Sequence, residues 1–279
     1  MTSTNYEIRW DTISTGGSDT SSSTSYGLRD SSIIGPGGSA TSTSYQVSND
    51  YRAGVFDQII SFDLFIQNSS NERAITALSG TTVSMSSTTG LSATDYVAVV
   101  QDRGGSQVVG FGRISSVAAG SITLDRLTVG SSSPTIDGTN DYLYQLNGSS
   151  LTLESIDLQT VATGIVGFEI TIDNDNGYSI QVLEDGNMRN GSVALDDVAD
   201  GTVTAASEEY GARSSDTTVT TSTFDSADTA ITSTGQDIVT TSTFAFDQRS
   251  FLIIKAAGST GTSALTYSNT TTFIAAGNY

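Results

Sequence analysis

Alternation of apolar and polar residues at period two runs through most of the chain and predicts an all-β protein with almost no helix. Near the start, Tyr6, Ile8 and Trp10 point to one side while Glu7, Arg9 and Asp11 point to the other. The phrase that opens this segment, Ser3-Thr4-Asn5-Tyr6, recurs as Ser23-Thr24-Ser25-Tyr26 and Ser42-Thr43-Ser44-Tyr45, 20 and then 19 residues further on. So short a period accommodates one strand per copy, not one domain. Residues 1–54 therefore read as a repeated β-strand arm, interrupted by turns at Thr15-Gly16-Gly17-Ser18 and Gly35-Pro36-Gly37-Gly38. Each strand of the arm carries one thin apolar stripe, which must be buried against the rest of the chain or against a neighbouring copy.

Beyond the arm, Phe56, Ile60, Phe62, Leu64 and Ile66 share one face of a strand that is expected to enter the first core, and Asn68–Arg73 follows as a polar loop. Residues 55–130 read as a small β-barrel-like domain, with strands predicted over 82–86, 96–101, 107–117 and 121–129 between glycine-containing turns. Within it, Gly90-Leu91-Ser92-Ala93-Thr94-Asp95-Tyr96-Val97 resembles the loop-then-strand entry of SH3-like barrels, a resemblance that implies shape and no function. Residues 131–144, with Pro134 and Gly138, read as a linker. Residues 145–279 are expected to form a β-sandwich domain, with strands over 151–157, 164–172, 178–183, 201–205, 237–246, 250–256 and 265–276.

Charge and composition narrow the chemistry. The 279 residues carry a formal charge of −19 with a pI near 4.1, which repels phosphate backbones and argues against nucleic-acid partners. The absence of cysteine and histidine removes disulfides, thiol nucleophiles, Ser-His-Asp triads and the usual zinc ligands. No apolar run is long enough for a membrane-spanning helix. Richness in serine and threonine with a single lysine fits an exported protein, so the expected location is extracellular or at the cell surface, with a signal peptide absent from this sequence. Neither Pro36 nor Pro134 follows a leucine, so no LPxTG-type sorting signal is present.

Candidate sites are few. A two-carboxylate glycosidase is the only enzyme conceivable, but the neighbours in Glu208-Glu209 and in Asp196-Asp197 face opposite ways in a strand and water in a turn, so no enzymatic activity is expected. Asp173-Asn174-Asp175-Asn176-Gly177 reads as a hairpin turn at Asn-Gly or, less favoured for want of a later bidentate glutamate, as a calcium loop with Asp173 and Asp175 as ligands. Asp196, Asp197 and Asp200 form a second, weaker acidic cluster. Lys255, inside the apolar run Phe251–Ala256, reads as an edge-strand guard facing solvent, with an intramolecular isopeptide bond as the sharper alternative. Asn68, Asn147, Asn190 and Asn269 begin Asn-x-Ser/Thr triplets, which chance supplies in so Ser/Thr-rich a chain.

The repeated arm, the motif Asn176-Gly177-Tyr178-Ser179-Ile180 and the closing Tyr267-Ser268-Asn269-Thr270-Thr271-Thr272-Phe273 together resemble secreted, cysteine-free Ser/Thr-rich surface proteins of small-genome bacteria. That resemblance implies an exported surface location. The arm is also similar in logic to donor-strand pilins, in which an N-terminal extension completes a neighbour's sheet. The expected function is an extracellular structural subunit that self-assembles into a filament or pilus-like fibre with identical subunits as partners. Tyr6, Ile8, Trp10, Tyr26, Leu28, Tyr45 and Val47 are its expected assembly interface. The alternatives are a secreted adhesin or carbohydrate-binding protein with a glycan or surface ligand, and a phage tail or spike component.

Overall fold

The computed structural model of the protein describes residues 58–278 except Glu154, with side chains from Ser61 onward, and the backbone of residues 21–22, 27–28, 39–41 and 46–48. Two compact units are present, Met1–Gln58 and Ile59–Tyr279. In the first, β1 (Ser21–Ser22) pairs antiparallel with β2 (Gly27–Leu28), and β3 (Ser39–Thr41) with β4 (Gln46–Ser48). The second and third copies of the repeated phrase, residues 23–26 and 42–45, thus fall in sequence between paired strands. Where one strand per copy is expected, two antiparallel pairs of short strands flank the second and third copies, while the first copy lies outside the described residues. Tyr6, Ile8, Trp10, Tyr26 and Tyr45 lie outside the described residues, and Leu28 and Val47 are described by backbone alone.

The second unit opens with β5 (Gln58–Ile66) and a single 3-10 turn, Ser69–Asn71, capped by Asn68, whose Oδ1 accepts from Ser70 N at 3.1 Å. Next come β6 (Arg73–Ser79), β7 (Thr82–Met85), β8 (Tyr96–Gln101), β9 (Val108–Ala118), β10 (Ser121–Leu124), β11 (Thr128–Val129) and β12 (Tyr142–Gln145). They pair in the order β10-β7-β6-β12-β8-β9, and β9 pairs again with β10, so the sheet closes into a six-stranded antiparallel barrel with β11 added beside β9. Its interior is filled by Ile75, Val83, Val97, Val99, Ile114, Ile122, Leu124 and Leu143.

Two parts of the barrel differ from expectation. The residues taken for a linker, 131–144, contain most of β12, which lies between β6 and β8 and buries Leu143 completely. Four residues of alternation behind a Ser/Pro/Gly-rich run are too few to reveal a strand. The approach to it is pinned by buried Asp141, whose Oδ2 accepts from Asp137 N (3.0 Å) and Gly138 N (2.9 Å). Strand β6 was not anticipated because a bulge between Ile75 and Ala77 breaks its period-two pattern.

The sandwich is formed by β13 (Ala162–Asp173), β14 (Tyr178–Glu184), a small hairpin of β15 (Arg189–Asn190) and β16 (Val193–Ala194), then β17 (Glu209–Ser214), β18 (Gln236–Thr241), β19 (Ala245–Ala257) and β20 (Thr271–Gly277). One sheet runs β17-β19-β13-β5 and the other β18-β14-β20, giving the expected seven strands with different members. Residues 151–157 and 201–205 are not strands, and β17 takes a place among the seven. The predicted strand 237–246 is divided, with β18 in the smaller sheet and the start of β19 in the larger. Strand β5, expected in the first core, instead edges the larger sheet, where Phe62 stacks on Phe168 with ring centroids 6.1 Å apart. Leu64, expected on the same buried face, is 40% exposed.

Between the sheets lie Val166, Phe168, Ile170 and Ile172 of β13, Tyr178, Ile180 and Val182 of β14, and Leu252, Ile254 and Ala256 of β19. The opposite face of the larger sheet is not free. Ile165 and Phe251 share a core with Ala98, Val100, Val109, Phe111, Tyr144 and Leu146 of the barrel. Gly167 is the seat: a Cβ there would approach the Phe111 ring to 2.7 Å. The barrel and the sandwich, expected as separate domains with a linker, are therefore one unit fused through a common core, because the long strands β13 and β19 present apolar residues on both faces.

Candidate functional site

Of the candidate calcium ligands, Asp173 is the last residue of β13 and Asp175 lies in the turn that follows. This is not a hairpin turn. It carries the chain from the larger sheet (β13) to the smaller one (β14), and Gly177 at φ +78° closes it with a bond from its N–H to Asn174 O at 2.9 Å. Asn174 is fully buried and its amide is spent within the protein: Oδ1 accepts from Asn176 N (2.8 Å) and Nδ2 donates to Asn278 O (2.7 Å). Half-buried Asp173 and exposed Asp175 remain as the two carboxylates of the loop.

Three of the other acids flagged in the sequence accept hydrogen bonds from loop residues. Glu208 accepts from the Thr262 hydroxyl, Glu209 Oε2 from Thr204 N at 2.8 Å, and Asp200 Oδ1 from Thr202 N at 3.0 Å. Among the described residues, no group of three or more acids is arranged around one point. The four asparagines of the Asn-x-Ser/Thr triplets are likewise engaged, with Asn68 Nδ2 donating to Asn147 Oδ1 (2.9 Å), Asn190 to Thr266 O (2.9 Å) and Asn269 to Glu184 Oε2 (2.6 Å).

Three ionic clusters escape sequence reading because their members are distant in the chain. Arg249 on β19, 1% exposed at its side chain, donates to Asp125 of the barrel at 2.7 and 2.9 Å and to Glu169 of β13 at 2.6 Å. Tyr96 joins by donating to Glu169 Oε1 at 2.7 Å, and burial together with that carboxylate pushes its phenol up to about 12. A second cluster is Arg103 with Glu72, to which the Tyr144 hydroxyl also donates at 2.9 Å. In the third, Lys255 Nζ lies 2.7 Å from Oδ1 of Asp228. Lys255 is not an edge residue, since β19 runs between β17 and β13. Its place in an apolar run signals an unusual amine, but nothing in the Ser/Thr-rich segment around Asp228 marks the partner.

The sheet edges also differ in how they are finished. Along β17, the N–H groups of Tyr210, Ala212 and Ser214 donate to Asp196 O, Thr229 O and Phe224 O at 2.8 to 2.9 Å. Along β18, Asp216 Oδ2 accepts from Thr240 N (2.9 Å), while Ser214 Oγ and Ser222 Oγ donate to Ile238 O (2.5 Å) and Asp237 O (2.6 Å). Strand β20 pairs with β14 on one side, and among the described residues nothing pairs with its other side. Its seven residues, Thr-Thr-Phe-Ile-Ala-Ala-Gly, include no charge and no proline, and Ile274 is 46% exposed. Lysine, proline and bulges are the usual protections of an edge, and β20 has none of them.

No protein-family model matches the chain, and neither a curated protein nor a solved structure matches it.

Proposed function

We propose that the protein is an extracellular structural subunit that self-assembles by strand addition, with the N-terminal arm of one copy pairing along β20 of the next. The supporting observation is the contrast between edges: β17 and β18 have outer backbone groups satisfied by loops and side chains, whereas β20 offers seven residues, led by the strand-favouring Thr271-Thr272-Phe273-Ile274, without a guard. An added strand gains ladder hydrogen bonds, and its alternate side chains meet Thr272, Ile274 and Ala276, all exposed on β20. The arm supplies short pairing segments separated by polar residues, and a head-to-tail contact that does not close on itself produces a fibre.

The test is negative-stain microscopy with light-scattering mass on the full chain, on a chain lacking residues 1–54 and on Ile274→Lys. Filaments of the full chain and monomers of both variants are expected. Filaments that persist in Ile274→Lys remove β20 as the acceptor. A monomeric full chain that binds a glycan array removes assembly in favour of an adhesin, and closed trimers remove it in favour of a viral attachment protein.

A further inference from the structure

We propose that Lys255 and Asp228 become joined by an intramolecular amide bond that ties the loop over β17 and β19 to the sheet. Lys255 is the only lysine in the chain, and it lies in the middle of the larger sheet, where its side chain is 21% exposed. Asp228 faces it with a side chain 2% exposed. The two atoms are 2.7 Å apart, yet Oδ1 takes no hydrogen bond, so the contact is a close approach at angles outside those of a hydrogen bond. Val203, whose N–H bonds Asp228, belongs to a small apolar cluster with Val198 and Ala257.

Asp228 is held rigidly. Its own N–H donates to Gly201 O at 2.9 Å, and the next residue, Thr229, exchanges two backbone hydrogen bonds with Ala212 of β17 at 2.8 and 2.9 Å. Gly211, directly opposite Lys255 in the register of β17 and β19, allows this close cover, since a Cβ there would approach Val198 Cγ1 to 2.5 Å. An amine and a carboxyl held in one place react as a single molecule, without the entropy of encounter.

The two carboxyl oxygens have different surroundings. Oδ2 accepts from Val203 N at 2.9 Å, which polarises the carbonyl and is placed to hold the oxyanion of a tetrahedral intermediate. Oδ1 has only the lysine. The step begins with transfer of one ammonium proton to Oδ1, which leaves a neutral amine and a neutral acid. The nitrogen lone pair then attacks Cγ and forms the C–N bond. The Cγ–Oδ1 bond breaks, and the hydroxyl leaves with a second proton from nitrogen as one water. No electron is gained or lost, and no co-reactant is consumed. The step is independent of how subunits assemble.

The intact mass of the purified full chain decides the matter, together with tandem mass spectrometry of its tryptic digest. A mass lower by one water, about 18 Da, is expected. Trypsin should then fail to cut after Lys255 and release residues 214–249 linked to 250–279 as one branched species. Lys255→Arg and Asp228→Ala should each restore the full mass. The branched peptide from the unaltered chain is direct proof that does not depend on either variant folding, and it separates this bond from dehydration at Asp-Gly sequences such as Asp200-Gly201. A full-mass chain cleaved normally after Lys255 overturns the proposal, as does an 18 Da deficit that survives Asp228→Ala.

Discussion

Asn278, next to last in the chain, holds the buried Asn174 in the turn between the two sheets: Asn174 Nδ2 donates to Asn278 O at 2.7 Å. The grip is mutual. Asn278 N donates to Gly177 O at 3.0 Å, and Asn278 Nδ2 donates to Asn176 O (3.0 Å) and to Thr241 O (2.8 Å) at the end of β18. One residue thus fastens the crossover turn to the smaller sheet and fixes how the two sheets meet.

Asn278→Ala removes two hydrogen bonds at once and should lower stability by about 1–3 kcal/mol, measured as the urea midpoint at unchanged m-value. Asn174→Ala should cost a similar amount, because Asn176 N and Asn278 O both lose their partner. The Asn174 amide oxygen is already taken by Asn176 N, so the loop offers a calcium ion two carboxylates in place of the six to eight oxygens that calcium gathers. Millimolar calcium is accordingly expected to leave the melting temperature unchanged. A rise that Asp175→Asn abolishes would restore the cation loop.

Arg249 joins the barrel to the sandwich by charge as well as by packing. Burial opposes the charged form of Asp125, but hydrogen bonds and charge from Arg249, with the backbone N–H groups of Arg126 and Arg113, outweigh it and hold the carboxyl at about 2. The stabilisation is complete above the ordinary aspartate value near 3.8 and is lost as pH falls through the folded value. Unfolding midpoints should therefore drop between about pH 4 and pH 2, and Asp125→Asn should flatten that drop. Arg249→Ala removes the buried guanidinium shared by Asp125 and Glu169, leaving Glu169 the Tyr96 hydroxyl and Arg126 at 4.0 Å, and should cost about 3–5 kcal/mol at neutral pH. A loss within experimental error would show that water replaces the guanidinium.

Elements that cross a core at regular period were legible from the sequence. Strand β8 has its predicted bounds, Tyr96–Gln101, while β13 and β14 differ from prediction only by residues at their ends. Strand β17 was missed because Glu209-Tyr210-Gly211-Ala212-Arg213-Ser214 has only two clearly apolar side chains. What makes it a strand is its pairing with six residues of β19, a partner fixed by the fold and not by local pattern. The fusion of barrel and sandwich was illegible for a related reason. Gly167 reads as a turn former or a weak point in a strand, and its purpose is visible only when Phe111 is seen against it. Likewise the apolar surroundings of Lys255 mark it as unusual, whereas Asp228 is chosen by the path of a loop.

Glu184, at the end of β14, is the carboxyl least suited to its surroundings. It is 3% exposed, and its Oε1 has no hydrogen-bond partner. Burial first, and then the charge of Asp197, raise it from near 4.5 to about 7, against the hydrogen bonds of Tyr210 and Asn269. The folded chain therefore keeps a proton that the unfolded chain releases, and stability falls as pH rises from about 4.5 to about 7, with the penalty fully present above that range. Glu184→Gln keeps the shape and removes the charge. It should raise stability above pH 7 by about 1–2 kcal/mol, allowing for solvent screening, and change little at pH 4. Chemical denaturation of both proteins at pH 4, 6 and 8 measures the difference. Equal gains at all three values would mean that the glutamate is charged throughout, with Tyr210 and Asn269 sufficient to solvate it.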